Sequence, residues 1–110
     1  MQGTNWKKTF DSLEYPKDGV LSKVLQKNEA VDVTLFCMAA GTEISDHTSR
    51  RAGTVYVIEA NGIFRLEGKD IPLLPGVHIY MQKDAVHSLS ARENTAFPLT
   101  LINEAGSVKK

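Results

Sequence analysis

Gly41-Thr-Glu-Ile-Ser-Asp-His47-Thr-Ser-Arg-Arg-Ala-Gly53-Thr-Val-Tyr-Val-Ile-Glu-Ala-Asn-Gly62 sets one histidine and one short apolar segment between glycines. Val55 and Val57 share a face and Tyr56 and Ile58 the other, the period of two expected of a strand. A second unit of the same plan follows, Pro75-Gly-Val-His-Ile-Tyr-Met-Gln-Lys-Asp-Ala-Val-His87, in which Val77, Ile79 and Met81 alternate with His78 and Tyr80. Outward from these units, Val31, Val33, Leu35 and Cys37 alternate with Asp32, Thr34 and Phe36, and Phe97, Leu99 and Leu101 with Pro98, Thr100 and Ile102. Turn signals recur about every ten residues, at Asp18-Gly19, Lys27-Asn28, Gly41, Gly53, Asn61-Gly62, Gly68, Pro75-Gly76, Asp84 and Glu93-Asn94, a spacing that indicates an all-β sandwich or barrel. Asn61-Gly62 is the sharpest hairpin signal, because Asn-Gly suits the turn that matches strand twist, and it predicts a hairpin between Val55–Ile58 and Ile63–Leu66. Two stretches admit a helix. Thr9–Glu14 fits a helical turn, and Asp84–Glu93 fits either a short helix capped by Asp84 or a strand with His87 and Leu89 on one face and Ser88 and Ser90 on the other.

With 110 residues the chain is expected to form one domain, 1–110, with its core at about 20–103 and tails at 1–8 and 104–110. Thirteen basic residues balance thirteen acidic ones, so no net field draws the chain to nucleic acid or an anionic membrane. Cys37 is the only cysteine, which rules out an intrachain disulfide or a cysteine-rich zinc site, and its apolar setting predicts a small buried hydrophobe. No stretch approaches the roughly 18 apolar residues of a membrane helix, and the polar start lacks a signal peptide's apolar block, so the cytoplasm is the expected address. No P-loop, dinucleotide fingerprint, HExxH segment or nucleophile elbow occurs.

The two histidine units together resemble the cupin superfamily, in particular its small single-domain, RmlC-like members. That family's first motif runs glycine, five residues, His-x-His, three or four residues, glutamate, six residues, glycine. Gly41 opens it here, His47 takes the first histidine position and Ser49 the second, and the glutamate position falls near Gly53, between Ala52 and Thr54. In the second motif Gly76 supplies the glycine, Gln82 and Asp84 stand for the proline and second glycine, His87 supplies the histidine, and Ala91 stands where an asparagine is common. The resemblance covers residues 31 to 102. It implies a jelly-roll barrel (a double-stranded β-helix) of two packed antiparallel sheets, with roughly 9–11 short strands, metal or substrate inside one end, Asp84–Glu93 as strand rather than helix, and a homodimer.

Complete cupins hold a divalent metal with three histidines and a glutamate. The resemblance therefore implies His47 and His87 as metal ligands for Fe, Zn, Ni or Mn, on neighbouring strands and aimed inward. Glu43 is the nearest carboxylate to complete a 2-His-1-carboxylate set. It stands four residues before His47, which on a regular strand puts both on one face, and Ser49 shares that face. The other readings are a metal-free pocket binding a small molecule, lined by the same histidines with Val55, Val57, Leu89 and Leu99, and a pair of hydrogen-bonded core histidines without function. The functions that follow are a small-molecule-binding cupin with a weak divalent-metal site, a metal-dependent oxygenase or isomerase, or an accessory dimer. His78 and Tyr56 are expected outside the site, Arg50-Arg51 in a solvated loop, and Phe36 and Met38, with Trp6, on an outer surface covered by a partner or by the N-terminal segment.

Overall fold

The computed structural model describes residues 5–104. A four-residue 3-10 turn, Thr9–Ser12, precedes nine strands: β1 (Val20–Lys27), β2 (Val31–Met38), β3 (Glu43–His47), β4 (Gly53–Tyr56), β5 (Gly62–Leu66), β6 (Lys69–Leu73), β7 (His78–Met81), β8 (His87–Ala91) and β9 (Thr95–Ile102). They form a five-stranded sheet, β1-β2-β9-β4-β7, and a four-stranded sheet, β3-β8-β5-β6, with every pair antiparallel. The two sheets pack face to face. Met38, Val55, Ile79, Met81 and Phe97 of the first sheet, with Val57 just beyond β4, meet Phe64, Leu73, Leu89 and Ala91 of the second in one buried cluster. The architecture is all-β, as the turn spacing implied, and is the jelly roll that the resemblance implied; within Asp84–Glu93, His87–Ala91 is strand. Residues 1–4 and 105–110 of the expected tails lie outside the described residues.

Three local expectations are corrected. The first concerns β2, where Phe36 and Met38 belong to the interior and not to an outer surface. Met38 is fully buried in the inter-sheet cluster, and Phe36 packs against it. Leu35 and Cys37 face the other way, into a second cluster with Ala96, Leu25 and Ile58 that Leu13 and Tyr15 of the N-terminal segment cover. A strand covered on both faces reads as a continuous apolar run, here Leu35-Phe36-Cys37-Met38, so alternation cannot say which side is in. The segment is fastened by the Tyr15 hydroxyl, which donates to the Glu59 carboxylate. Burial, then that bond, push the phenol far above its ordinary range, so it keeps its proton. Trp6 lies beyond this cover, 74% exposed.

The second correction is at Asn61-Gly62, which is not a hairpin. β4 and β5 lie in different sheets, and residues 57–61 cross between them, with Glu59 bridged to Ala96 on the way. Gly62 is already inside β5, opposite both Leu73 and Ala91. Its glycine is required by closeness rather than by a turn: a Cβ there would lie 2.2 Å from the Ser90 carbonyl oxygen. The two-residue hairpin turn is Glu67-Gly68, where both φ angles are positive (49° and 81°), the geometry that matches strand twist. Asp84 also sits at positive φ, 63°. Aspartate tolerates that region, so it replaces the resemblance's glycine at little cost.

The third correction is Arg51, which is not a free loop residue. Its guanidinium donates to Asp32 Oδ2 at 2.6 Å and to Asn103 Oδ1 at 2.9 Å, tying the loop after β3 to the start of β2 and the end of β9. Among the described residues no helix is long and apolar enough to cross a membrane.

Candidate functional site

β8 lies between β3 and β5, and its first residue, His87, is paired across the ladder with His47 on one side and Leu66 on the other. The two imidazoles meet with ring centroids 3.9 Å apart and planes at 59°. His87 is buried and lies parallel to the Phe64 ring at 5.8 Å, while His47 is exposed. A local contact orients each ring. His47 Nδ1 lies 2.9 Å from the Ser45 carbonyl, and His87 Nδ1 lies 3.1 Å from the Ala85 carbonyl. A carbonyl only accepts, so in each neutral ring the proton resides on Nδ1 and Nε2 carries the lone pair. The same second bond fixes the tautomer of metal-binding histidines.

Burial lowers the pKa of His87, the Ala85 bond opposes this, and nearby His47 lowers it further, so His87 is neutral at neutral pH. Because the folded pKa lies below the unfolded value, the unfolded chain binds more protons below about pH 6.5. Stability is therefore expected to be constant above that pH and to fall as pH drops towards the folded pKa. Urea midpoints measured from pH 8 to pH 5 check this. In His87→Phe the acid-side decline should flatten, and an equally steep decline in that variant would remove His87 as its source.

The rings border a small cavity of about 70 Å³ lined by Phe36, Ile44, Val55, Phe64, Met81, Leu89, Phe97 and Leu99 along with the two histidines. Phe36 and Phe97 are cross-strand partners with rings 5.6 Å apart. Of the four expected lining residues, Val55, Leu89 and Leu99 are there, whereas Val57 is buried deeper in the core. Wider hollows of about 680 and 470 Å³ lie on the outer face of the four-stranded sheet and beside the N-terminal segment, away from the histidines.

Glu43 does not join them. The β3–β8 register shifts between Ile44 and His47, a bulge that adds a residue. Ile44 and His47 therefore both face the cavity although three apart, and Glu43, opposite Ser90, faces the outer hollow with Asp46 and Arg65. Ser49 is also elsewhere: its hydroxyl accepts the Arg51 N–H and its carbonyl the Asp84 N–H. The residue that faces the histidines from β4 is Val55, not one of those around Gly53. Gly53 cannot carry a side chain, since a Cβ would meet the Thr100 oxygen at 2.5 Å. His78 and Tyr56 are exposed on the outer side. Sequence reasoning missed Phe36, Ile44, Phe64, Met81 and Phe97 as lining. The parity of Ile79-Tyr80-Met81 marks Met81 as inward, but only the loop that brings His87 beside it reveals what it borders.

No family model and no curated protein matches the sequence. Solved structures do. A conserved protein of unknown function from Streptococcus pyogenes superposes with TM-score 0.81 at 19% identity over 94% of this chain and 91% of that one. A cupin superfamily protein from Desulfitobacterium hafniense superposes with TM-score 0.77 at 16% identity, over 84% of each chain. This chain has the RmlC-like cupin fold. The cupin likeness extends to salicylate 1,2-dioxygenase from Pseudoaminobacter salicylatoxidans, with TM-score 0.71 and 15% identity over 76% of this chain and 26% of that one.

The metal that cupins commonly hold fits this site in part. Two imidazoles whose Nδ1 atoms face backbone carbonyls, leaving Nε2 free, suit a first-row ion. Among the described residues, however, no group of three or more His, Cys, Asp or Glu side chains could hold one.

Proposed function

We propose that this small cupin binds a small molecule through a weakly held metal ion at the His47–His87 pair. The observation that carries the reading is the pair of Nδ1–carbonyl contacts, which leave two adjacent Nε2 lone pairs at one cavity. Two protein donors leave coordination positions on an ion open to a ligand. For both rings to bind one ion, about 2.0 Å from each nitrogen, the centroids must open from 3.9 Å to about 5 Å, a movement that exposed His47 can make. The ligand is small. Ordinary ligand pockets are roughly 300–1,000 Å³, whereas about 70 Å³ here accommodates only a few non-hydrogen atoms, with the rest outside. Its buried part is apolar, because Phe36, Val55, Leu89 and Phe97 offer it no hydrogen bond.

Calorimetric titration of untagged, chelator-treated protein with zinc and nickel tests the reading. One weak, saturable site is expected, weakened about tenfold or more in His87→Ala and in His47→Ala. Absence of saturable binding, or binding unaltered in both variants, would overturn it.

A further inference from the structure

We propose that the site is a soft-metal site, completed by the Met81 thioether and selective for monovalent copper; this rests on the metal reading above. Met81 is 4% exposed and lines the same cavity as His47 and His87. It stands opposite Gly53 in the β4–β7 ladder, where the partner strand contributes no side chain. A flexible thioether with three rotatable bonds can turn its sulfur towards the cavity that Met81 lines. The donors bordering the cavity are thus two imidazole nitrogens and one sulfur, none of them anionic, with no carboxylate, hydroxyl or ammonium beside them.

That set discriminates among ions in two ways. Thioether sulfur favours Cu(I), whereas hard ions such as Mn(II) require carboxylate or water oxygen. The cavity also penalises charge. With no anion to offset it among Phe36, Phe64 and Phe97, the desolvation cost rises with the square of the ion's charge, so a monovalent ion is far less disfavoured than a divalent one. The route to a hard site is closed on both nearby strands, since Glu43 faces outward beyond the bulge and Gly53 has no room for a Cβ.

The test is anaerobic competition of the untagged protein against a Cu(I)-specific chromogenic chelator, alongside zinc and nickel titrations, for wild type, Met81→Leu and His87→Ala. Cu(I) is expected to bind at least about tenfold more tightly than zinc. Met81→Leu, nearly isosteric and so tolerated in the core, should lose about tenfold or more of the Cu(I) affinity and leave zinc unchanged. X-ray absorption of the copper-loaded protein should show a sulfur neighbour that Met81→Leu lacks. Unchanged Cu(I) affinity in Met81→Leu, or zinc bound as tightly as Cu(I), overturns the copper assignment while leaving the histidine site standing. Metal binding that survives intact in His87→Ala overturns both.

Discussion

Replacing Gly62 by alanine is expected to destabilise the fold by about 3 kcal/mol or more, the upper range for forcing atoms into a packed interior. For a domain of this size that lowers the melting temperature by roughly 10–20 °C. The new Cβ would lie 2.2 Å from the Ser90 carbonyl oxygen and 3.2 Å from the Ala91 Cα. Neither is the yielding end of a flexible side chain. β5 is also an inner strand, held by β8 on one side and β6 on the other, so it cannot retreat without opening a ladder. The strand it presses on carries His87, so any accommodation shifts the buried half of the histidine pair. Calorimetric melting checks the expectation. A variant that melts within about 3 °C of wild type would show that β5 and β8 do not approach as described.

Gly62 illustrates what could be read in the sequence and what could not. Its presence after Asn61 marked a break between strands, and the break is real. Its purpose was misread, because a turn glycine and a close-approach glycine look alike until the neighbouring strand is known. The strands themselves were legible where one face is apolar and the other polar: Ile79-Tyr80-Met81 and His87-Ser88-Leu89 have the faces their alternation implied. β2 was not, because both of its sides are covered, one by the opposite sheet and the other by Leu13 and Tyr15.

The site divides in the same way. That His47 and His87 would come together was legible from the two repeated units and their likeness to cupin motifs. The place of Glu43 was not, because spacing assigns faces only on an unbroken strand, and a bulge between Ile44 and His47 reverses the parity. Counting from the histidine likewise placed the missing carboxylate near Gly53. The ladder puts Val55 beside the pair, since the loop that Arg51 clamps to Asp32 takes up residues that no motif count can apportion.

That position supports the second large expectation. Val55 is 1% exposed and borders the cavity with both histidines. Val55→Glu places a carboxylate in apolar surroundings with no cation beside it. The metal-free variant is expected to lose about 3 kcal/mol or more, from the added bulk and the buried polar group, and its carboxyl should hold its proton to well above the ordinary pKa. Zinc should reverse the loss, because the ion replaces that proton and completes a 2-His-1-carboxylate set. At zinc concentrations about 1,000-fold above its dissociation constant, linkage restores about 4.1 kcal/mol. Val55→Gln separates charge from shape: it has the same bulk, should lose comparable stability without metal, and should regain little with zinc. Melting curves of both variants with and without zinc make the comparison, and Cu(I) competition on Val55→Glu should show its preference moving towards the divalent ion. If zinc stabilises the glutamate and glutamine variants equally, then either Val55 does not face the histidines or the histidines do not hold the metal. Adding zinc to Val55→Glu,His87→Ala distinguishes these: recovery there would retain the carboxylate and remove the imidazole, whereas recovery that requires His87 joins the two residues through one ion.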